Sequence, residues 1–293
     1  MVDVDRHARA PRFRAVVLVD NGRSSVPGLQ TEWGLSVFVE VGGVRVLLDF
    51  GQSDACVCNA ERLGIDLGSV DAAVLSHAHY DHADGMEAFF EANARAPLYL
   101  SSACAENCWS TKGGTAERHY IGVRPGSLER FASRIVRVDT NVARELVPRV
   151  WVVPHASSGL VERGRREGMY VRTRAGFLPD CFDHELTVVC EAGVRPNDAL
   201  VVLSSCSHAG LAAILSEVQV AFPHRPIASF VGGLHLLRAS DQAILGAARA
   251  LRAAGVAHVW AGHCTGEHAL DLLGRELPGR VHELFPGATI ELA

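Results

Sequence analysis

The stretch Ser76–His77–Ala78–His79–Tyr80–Asp81–His82 constrains this chain more than any other. It follows directly on Asp71–Ala72–Ala73–Val74–Leu75, a short apolar run that reads as a buried strand with the polar cluster emerging at its end. Three histidines and an aspartate so closely spaced cannot all face one side of a regular helix or strand. They converge if the chain turns there, and Gly85 opening the helix-like stretch Gly85–Asn93 supplies that turn. His77 and His79 then point together at one ion, and Asp81 and His82 at a neighbouring one. Neutral imidazole and carboxylate are the ligands expected for zinc, iron or manganese. A histidine-rich polar loop is the competing reading, and this spacing weighs against it where a single His-x-His would not.

Other histidines stand at the ends of later apolar runs. From Leu186 onward the pattern alternates strand and helix: Leu186–Glu191, Leu200–Ser205, a helix over Gly210–Ala221, Ile227–Val231, a helix over Ser240–Ala254, and Val256–Ala261. Cys206-x-His208, Gly233–Leu234–His235 and Gly262–His263–Cys264 follow three of these strands. Ligand-type residues at successive strand ends belong to one edge of a layered α/β structure, so one compact site is expected.

The first third reads as strands Phe13–Val19, Leu35–Val41 and Val44–Leu48, with Gly42–Gly43 as a hairpin turn. A short helix over Asn59–Leu63 and a strand over Leu98–Ser101 follow. Ser102–Gly126 is the least regular segment, broken by Gly113–Gly114, Gly122 and Pro125–Gly126. Ser127–Ala132 reads as a turn of helix, and strands are expected near Ile135–Val138 and Val150–Val153. Arg163, Arg165, Arg166, Arg172 and Arg174 form a basic run that reads first as a solvated face and second as a contact for a substrate phosphate or carboxylate.

Composition narrows the function classes. At 293 residues and 48% hydrophobic content the chain can bury a large core, and one α/β domain of this size is ordinary. A net charge of −5 leaves no broad electrostatic footprint for nucleic acid. The 28 basic residues include a single lysine, Lys112, which reflects genome composition rather than function. No apolar stretch approaches the roughly 20 residues that span a bilayer. Ala15–Val19 is too short for a secretion signal, so a cytoplasmic location and a small-molecule substrate are expected, with the oligomeric state left open. The eight cysteines form no paired Cys-x-x-Cys module. Apart from Cys206, they read as small buried hydrophobes.

The Ser76–His82 motif resembles the signature of the metallo-β-lactamase fold. Asp20–Asn21, Trp33–Ser36, Leu48–Gly51, Cys206–Gly210, Gly232–Leu236 and Gly262–Gly266 are similar to a narrower branch, named for dihydropterin-ribofuranosylaminobenzene phosphate synthase. The resemblance covers nearly the whole chain. It implies a four-layer αββα sandwich formed by residues 1–293 as one domain, with residues 102–126 as an irregular lid. It also implies one or two divalent ions, zinc first and iron or manganese as alternatives, at the edge between two sheets. His77, His79, Asp81, His82 and His263 match ligand positions, and Asp49 matches a residue that braces the metal loop. No aspartate follows the strand Leu200–Ser205, so His208, with Cys206 as rival, is expected in place of the bridging carboxylate. The third histidine of the first ion is matched best by His184, with His155 as rival. His235 is expected to transfer a proton to the leaving group, and Asp81 to orient the attacking water as well as bind metal. These expectations describe a metal-dependent hydrolase of an ester, lactone, thioester or phosphodiester. The branch resemblance offers a transferase acting on a pterin as the alternative, for which Trp33, Trp109, Tyr120 and Trp151 are the stacking candidates.

Overall fold

Apolar side chains on consecutive residues of a strand need cover on both faces, and this chain supplies it with two sheets back to back and helices outside each. In the computed structural model, which describes residues 13–111, 117–139, 142–193 and 199–292, the strand Phe13–Val19 shows the principle. Phe13, Ala15 and Val17 face the space between the sheets, whereas Val16 and Leu18 face the helices Ala55–Arg62 and Met86–Ala92. In the second sheet Val188, Val201 and Leu203 meet the first sheet. Val189, Leu200 and Val202 lie under the helices Leu211–Ala221, Asp241–Ala253 and Glu267–Glu276. Burying each such side chain contributes about 1.5–3 kcal/mol before conformational entropy is charged against it.

Among the described residues each main sheet has seven strands. The first runs Thr289–Leu292, Phe13–Val19, Ser36–Val41, Val44–Leu48, Ala72–Val74, Leu98–Ser101, Ile135–Val138. The second runs Val281–Glu283, His258–Ala261, Ile227–Gly232, Ala199–Ser204, Leu186–Ala192, Val150–Pro154, Arg144–Val147. This is the αββα sandwich expected from the resemblance. Val44–Leu48, Ala72–Val74, Leu98–Ser101 and Ile135–Val138 pair in parallel, as do the first four strands of the second sheet. Loops after the carboxyl ends of parallel strands are where α/β sheets build their sites. Asp49, Ser76–His82, Cys206–His208, His235 and His263 all stand on such loops. The Leu186 amide bonds the Ser76 carbonyl at 2.7 Å, tying the two sheets together beside the histidine turn.

A third sheet departs from the sequence reading. Cys108–Thr111 and Arg118–Tyr120, within the segment read as irregular, join the hairpin Met169–Thr173 and Gly176–Pro179 in a four-stranded antiparallel sheet. The basic run is thus split among the helix Leu160–Glu167, the strand Met169–Thr173 and the turn that follows it. Helix Ala55–Arg62 starts earlier than Asn59, and the C-terminal helix Glu267–Glu276 has no counterpart in the sequence reading. Lys112 and Gly113–Gly114 lie outside the described residues, as does most of the Met1–Arg14 stretch. Among the described residues no helix is long and apolar enough to cross a membrane, and every cysteine is free.

Candidate metal centre

The histidine turn is held from several sides before any ion is considered. Asp49 Oδ1 accepts the Ser76 amide at 2.7 Å, and its Oδ2 accepts the Ser76 hydroxyl at 2.6 Å and faces His82 Nδ1 at 2.8 Å. Ser76 Oγ in turn lies 2.8 Å from His77 Nδ1. One buried carboxylate therefore places the ring proton of His82 on Nδ1 and, through Ser76, that of His77 on Nδ1. Both Nε2 atoms are left free to bind an ion, the arrangement in which metal-binding histidines are usually held. Asn21 does the same for His263, with Oδ1 3.3 Å from Nδ1. Asp20 beside it accepts the Gly22 amide at 2.6 Å, and burial pushes its pKa up to about 7.

Several overlapping groups of ligand atoms result, and two of them use the rings just described. His77, His79 and His208 each present a ring nitrogen within 4.8 Å of the others. The Nε2 atoms of His77 and His79 and both nitrogens of His208 are buried without a hydrogen-bond partner. In the second group Asp81 Oδ2, His82 Nε2 and His263 Nε2 form a triangle of 3.2, 3.5 and 3.7 Å, and Cys206 Sγ lies 3.4 Å from His82 Nε2. Tetrahedral zinc at 2.0–2.1 Å from its nitrogen and oxygen ligands sets ligand separations of roughly 3.3 Å, which this triangle nearly meets. Orphaned nitrogens in a dry interior cost free energy unless something pairs with them. Burial holds His79 and His263 to pKa values of about 3 and pushes His77 and His208 down as well, so these rings are neutral, as ligands must be. Burial also opposes charge on His82, but Asp81 and Asp49 outweigh it and lift its pKa to about 9. The first group therefore offers neutral donors as it stands, and an ion in the second would displace the proton that His82 holds at Nε2.

The placement of His208 and His184 differs from the sequence expectation. His208 closes the triad with His77 and His79, where the third histidine was expected, and Cys206 takes the side of the second group. His184 lies beside the first group with both nitrogens engaged. Its Nδ1 accepts the Ala78 amide at 3.1 Å, so the ring proton sits on Nε2, which faces Asp180 at 3.2 Å and Cys108 at 3.7 Å. His184 thus braces the turn through Ala78, and with His79, Cys108 and Asp180 it also forms a buried set whose ligand atoms all lie within 4.8 Å of one another, as a metal ligand would. His155 is further removed, between Glu217 at 2.6 Å and Thr187 at 2.9 Å.

Sequence reasoning missed the residues that position His208. Glu185 Oε1 and Oε2 accept the amides of His208 and Ala209 at 2.8 and 2.6 Å, and Phe182 stacks on the His208 ring at 5.0 Å. Asp49, Phe182, Ser207, His235 and His263 all hold positive φ without being glycine. Such backbone strain costs of order 1–3 kcal/mol per residue and gathers at functional sites. Gly34 and Gly233 allow the close packing around them. A Cβ on Gly34 would stand 2.4 Å from the Asp81 carbonyl, and one on Gly233 would stand 2.5 Å from both Cys264 Sγ and the Ser205 carbonyl.

His235 stands beside His208, ring centroids 4.4 Å apart, with Nε2 3.6 Å from Glu167 Oε2. It opens onto a cleft of about 1260 Å³ lined also by Trp33, Tyr170, Arg163, Arg165, Arg166 and Arg238. Three arginines of the basic run thus line this cleft, although Arg165 and Arg166 are also exposed to solvent, as that run was first read. Arg172 and Arg174 are exposed on the small sheet and its turn. Trp33 packs on the His263 ring at 4.8 Å. Trp109 and Tyr120 pack on each other in the small sheet, while Trp151 packs on Phe222 under the outer helices.

Comparison with known proteins places the fold. The metallo-beta-lactamase superfamily matches residues 34–162. The solved structure of Tm1679, described as a metal-dependent hydrolase of the beta-lactamase superfamily, is 30% identical with a TM-score of 0.78, over 96% of this chain and 99% of that one. The 7,8-dihydropterin-6-methyl-4-(beta-D-ribofuranosyl)-aminobenzene-5'-phosphate synthase of Methanocaldococcus jannaschii is 24% identical over 89% of this chain and 90% of its own length. A diphosphatase from the PhnP family shares the fold at 16% identity and a TM-score of 0.54, over 97% and 98% of the two chains. Fold, ligand-bearing turn and near full-length similarity agree: the chain belongs to the metallo-β-lactamase superfamily.

Proposed function

We propose that this chain is a metal-dependent hydrolase of a small ester that carries an anionic group, with phosphodiesters and phosphate-bearing esters first among them. The observation that carries the reading is the adjacency of two ligand groups to an arginine-lined cleft. His77, His79 and His208 would hold one ion, and Asp81, His82, His263 and Cys206 the other. Sulfur in the second set favours zinc or iron over manganese. Ions held there supply Lewis acidity and bring the pKa of water from about 15.7 to near 7.

The chain's own residues do the rest. Arg163, Arg165, Arg166 and Arg238 bind the substrate's anionic end, guanidinium being suited to paired contacts with phosphate or carboxylate. Asp81 orients the attacking water with its carboxylate. His235, at the mouth of the cleft and beside His208, passes a proton to the leaving oxygen. Trp33 forms an apolar wall over His263.

One observation favours a second reading. The cleft exceeds the 300–1,000 Å³ usual for a single small ligand. It has room for two substrates, as a transferase acting on a pterin would need, and the M. jannaschii relative is named as a synthase of a dihydropterin-bearing phosphate.

The test is elemental analysis of the purified protein, followed by turnover assays with generic phosphodiester, lactone and thioester substrates. Phosphodiester turnover that disappears in Asp81→Asn and His208→Gln supports the hydrolase. No turnover on any of them, with tight binding of a pterin, overturns it in favour of the second reading.

A further inference from the structure

Cys264 is a buried thiol that the chemistry above does not use. Its Sγ lies 3.4 Å from Cys206 Sγ and 3.7 Å from the Cys206 carbonyl, in the space that Gly233 leaves open. Cys206 Sγ is itself 3.4 Å from His82 Nε2, inside the second ligand group. A disulfide bond of about 2.05 Å requires the two sulfurs to close by roughly 1.4 Å. Both cysteines stand on turns rather than in strands, Cys206 after Ala199–Ser204 and Cys264 within His263–Thr265. Cys264 also lines the cleft, whereas Cys206 does not, so a small oxidant entering from solvent meets Cys264 first.

We propose that Cys206 and Cys264 form a redox switch on the second ion position: oxidation joins the two sulfurs, withdraws Cys206 from the ligand group and releases that ion. The proposal rests on the reading of Cys206 as a ligand there. The oxidant is a peroxide. The Cys264 sulfur attacks one peroxide oxygen, an S–O bond forms, the O–O bond breaks and one water leaves, giving a sulfenic acid. The Cys206 thiolate then attacks the Cys264 sulfur, an S–S bond forms, the S–O bond breaks and the departing hydroxide takes a proton from solvent to become a second water. Two electrons pass from the thiols to the peroxide, and a dithiol reductant reverses the change.

The experiment treats metal-loaded protein with hydrogen peroxide and follows intact mass, peptide linkage and metal content. The expected result is loss of the mass of two hydrogens, a linked Cys206–Cys264 peptide and release of one ion per chain, all reversed by dithiothreitol and added metal. Cys264→Ser, shown to be folded by circular dichroism, keeps both ions in the same peroxide. Absence of the linked peptide overturns the proposal, as does a linked peptide with no metal released, or equal metal loss in Cys264→Ser. Cobalt-loaded reduced protein separates the two readings. If it shows no thiolate-to-metal absorption band that depends on Cys206, the ligand assignment falls, and with it the switch, whatever the peptide map shows.

Discussion

Asp49 Oδ2 lies 2.8 Å from His82 Nδ1 and, through the Ser76 hydroxyl, is one step from His77 Nδ1. A single carboxylate thereby sets the ring orientation of one histidine in each ligand group. An asparagine in its place can turn an N–H toward His82, which removes that control. Asp49→Asn is expected to weaken metal binding by about 10–100-fold. Competition with a chelator of known affinity measures it, and an unchanged dissociation constant would remove the role assigned to Asp49.

His208 and His184 make the most direct test of the ligand groups. With both proposed positions loaded, His208→Gln is expected to bind one ion per chain fewer than the wild type. His184→Gln is expected to keep both, with a loss of stability of about 1–3 kcal/mol from the unpaired Ala78 amide and Asp180 carboxylate. Elemental analysis and urea unfolding report the two quantities separately.

Gly233→Ala places a methyl group 2.5 Å from the Ser205 carbonyl and from Cys264 Sγ. The sulfur can rotate away, but the carbonyl belongs to the strand end that carries Cys206. A cost of about 1–3 kcal/mol is expected in chemical denaturation, as for other overpacked interiors.

The anion-binding role proposed for the arginines predicts a KM effect. Arg166→Ala is expected to raise KM for a phosphate-bearing substrate about tenfold, the equivalent of one modest charge-assisted contact, with metal content unchanged. Steady-state kinetics against an uncharged lactone, which should be unaffected, provides the control.

The Glu217–His155 pair gives a pH dependence away from the metal groups. Burial pushes the Glu217 pKa up, but hydrogen bonds from His155, Ser157 and the Ala156 amide outweigh it and hold the value below its ordinary 4.5. A carboxylate with a depressed folded pKa adds stability above its unfolded pKa, and that stability is lost as pH falls through the folded value. Glu217→Gln should therefore lower Tm at neutral pH, and the gap to wild type should narrow as pH falls below the ordinary 4.5 and through the lower folded value. A gap that stays constant across a pH series of melting curves would contradict the assignment.

The main sheets are legible in the sequence because their strands are apolar on both faces, as in Val44–Leu48 and Leu186–Ala192, and few other structures bury such runs. The rim location of the site follows from histidines standing after successive strands. The small sheet is not legible. Arg118–Tyr120 and Met169–Thr173 are half-exposed, and their arginines read as loop or solvated face. Position along the chain favours His184 over His208 as the third histidine, because it says nothing about which ring nitrogen meets a backbone amide. That distinction depends on Ala78, about a hundred residues away, and on Glu185 holding the His208 turn.

Among the described residues the small sheet is made from strands outside the sandwich, Cys108–Thr111 and Arg118–Tyr120 from one stretch of chain and Met169–Thr173 and Gly176–Pro179 from another. One wall of the cleft can therefore be rebuilt by insertion or exchange without disturbing the strands that carry Asp49, His77 or His263. A chain of this design can acquire a new substrate while its inorganic chemistry stays as it was.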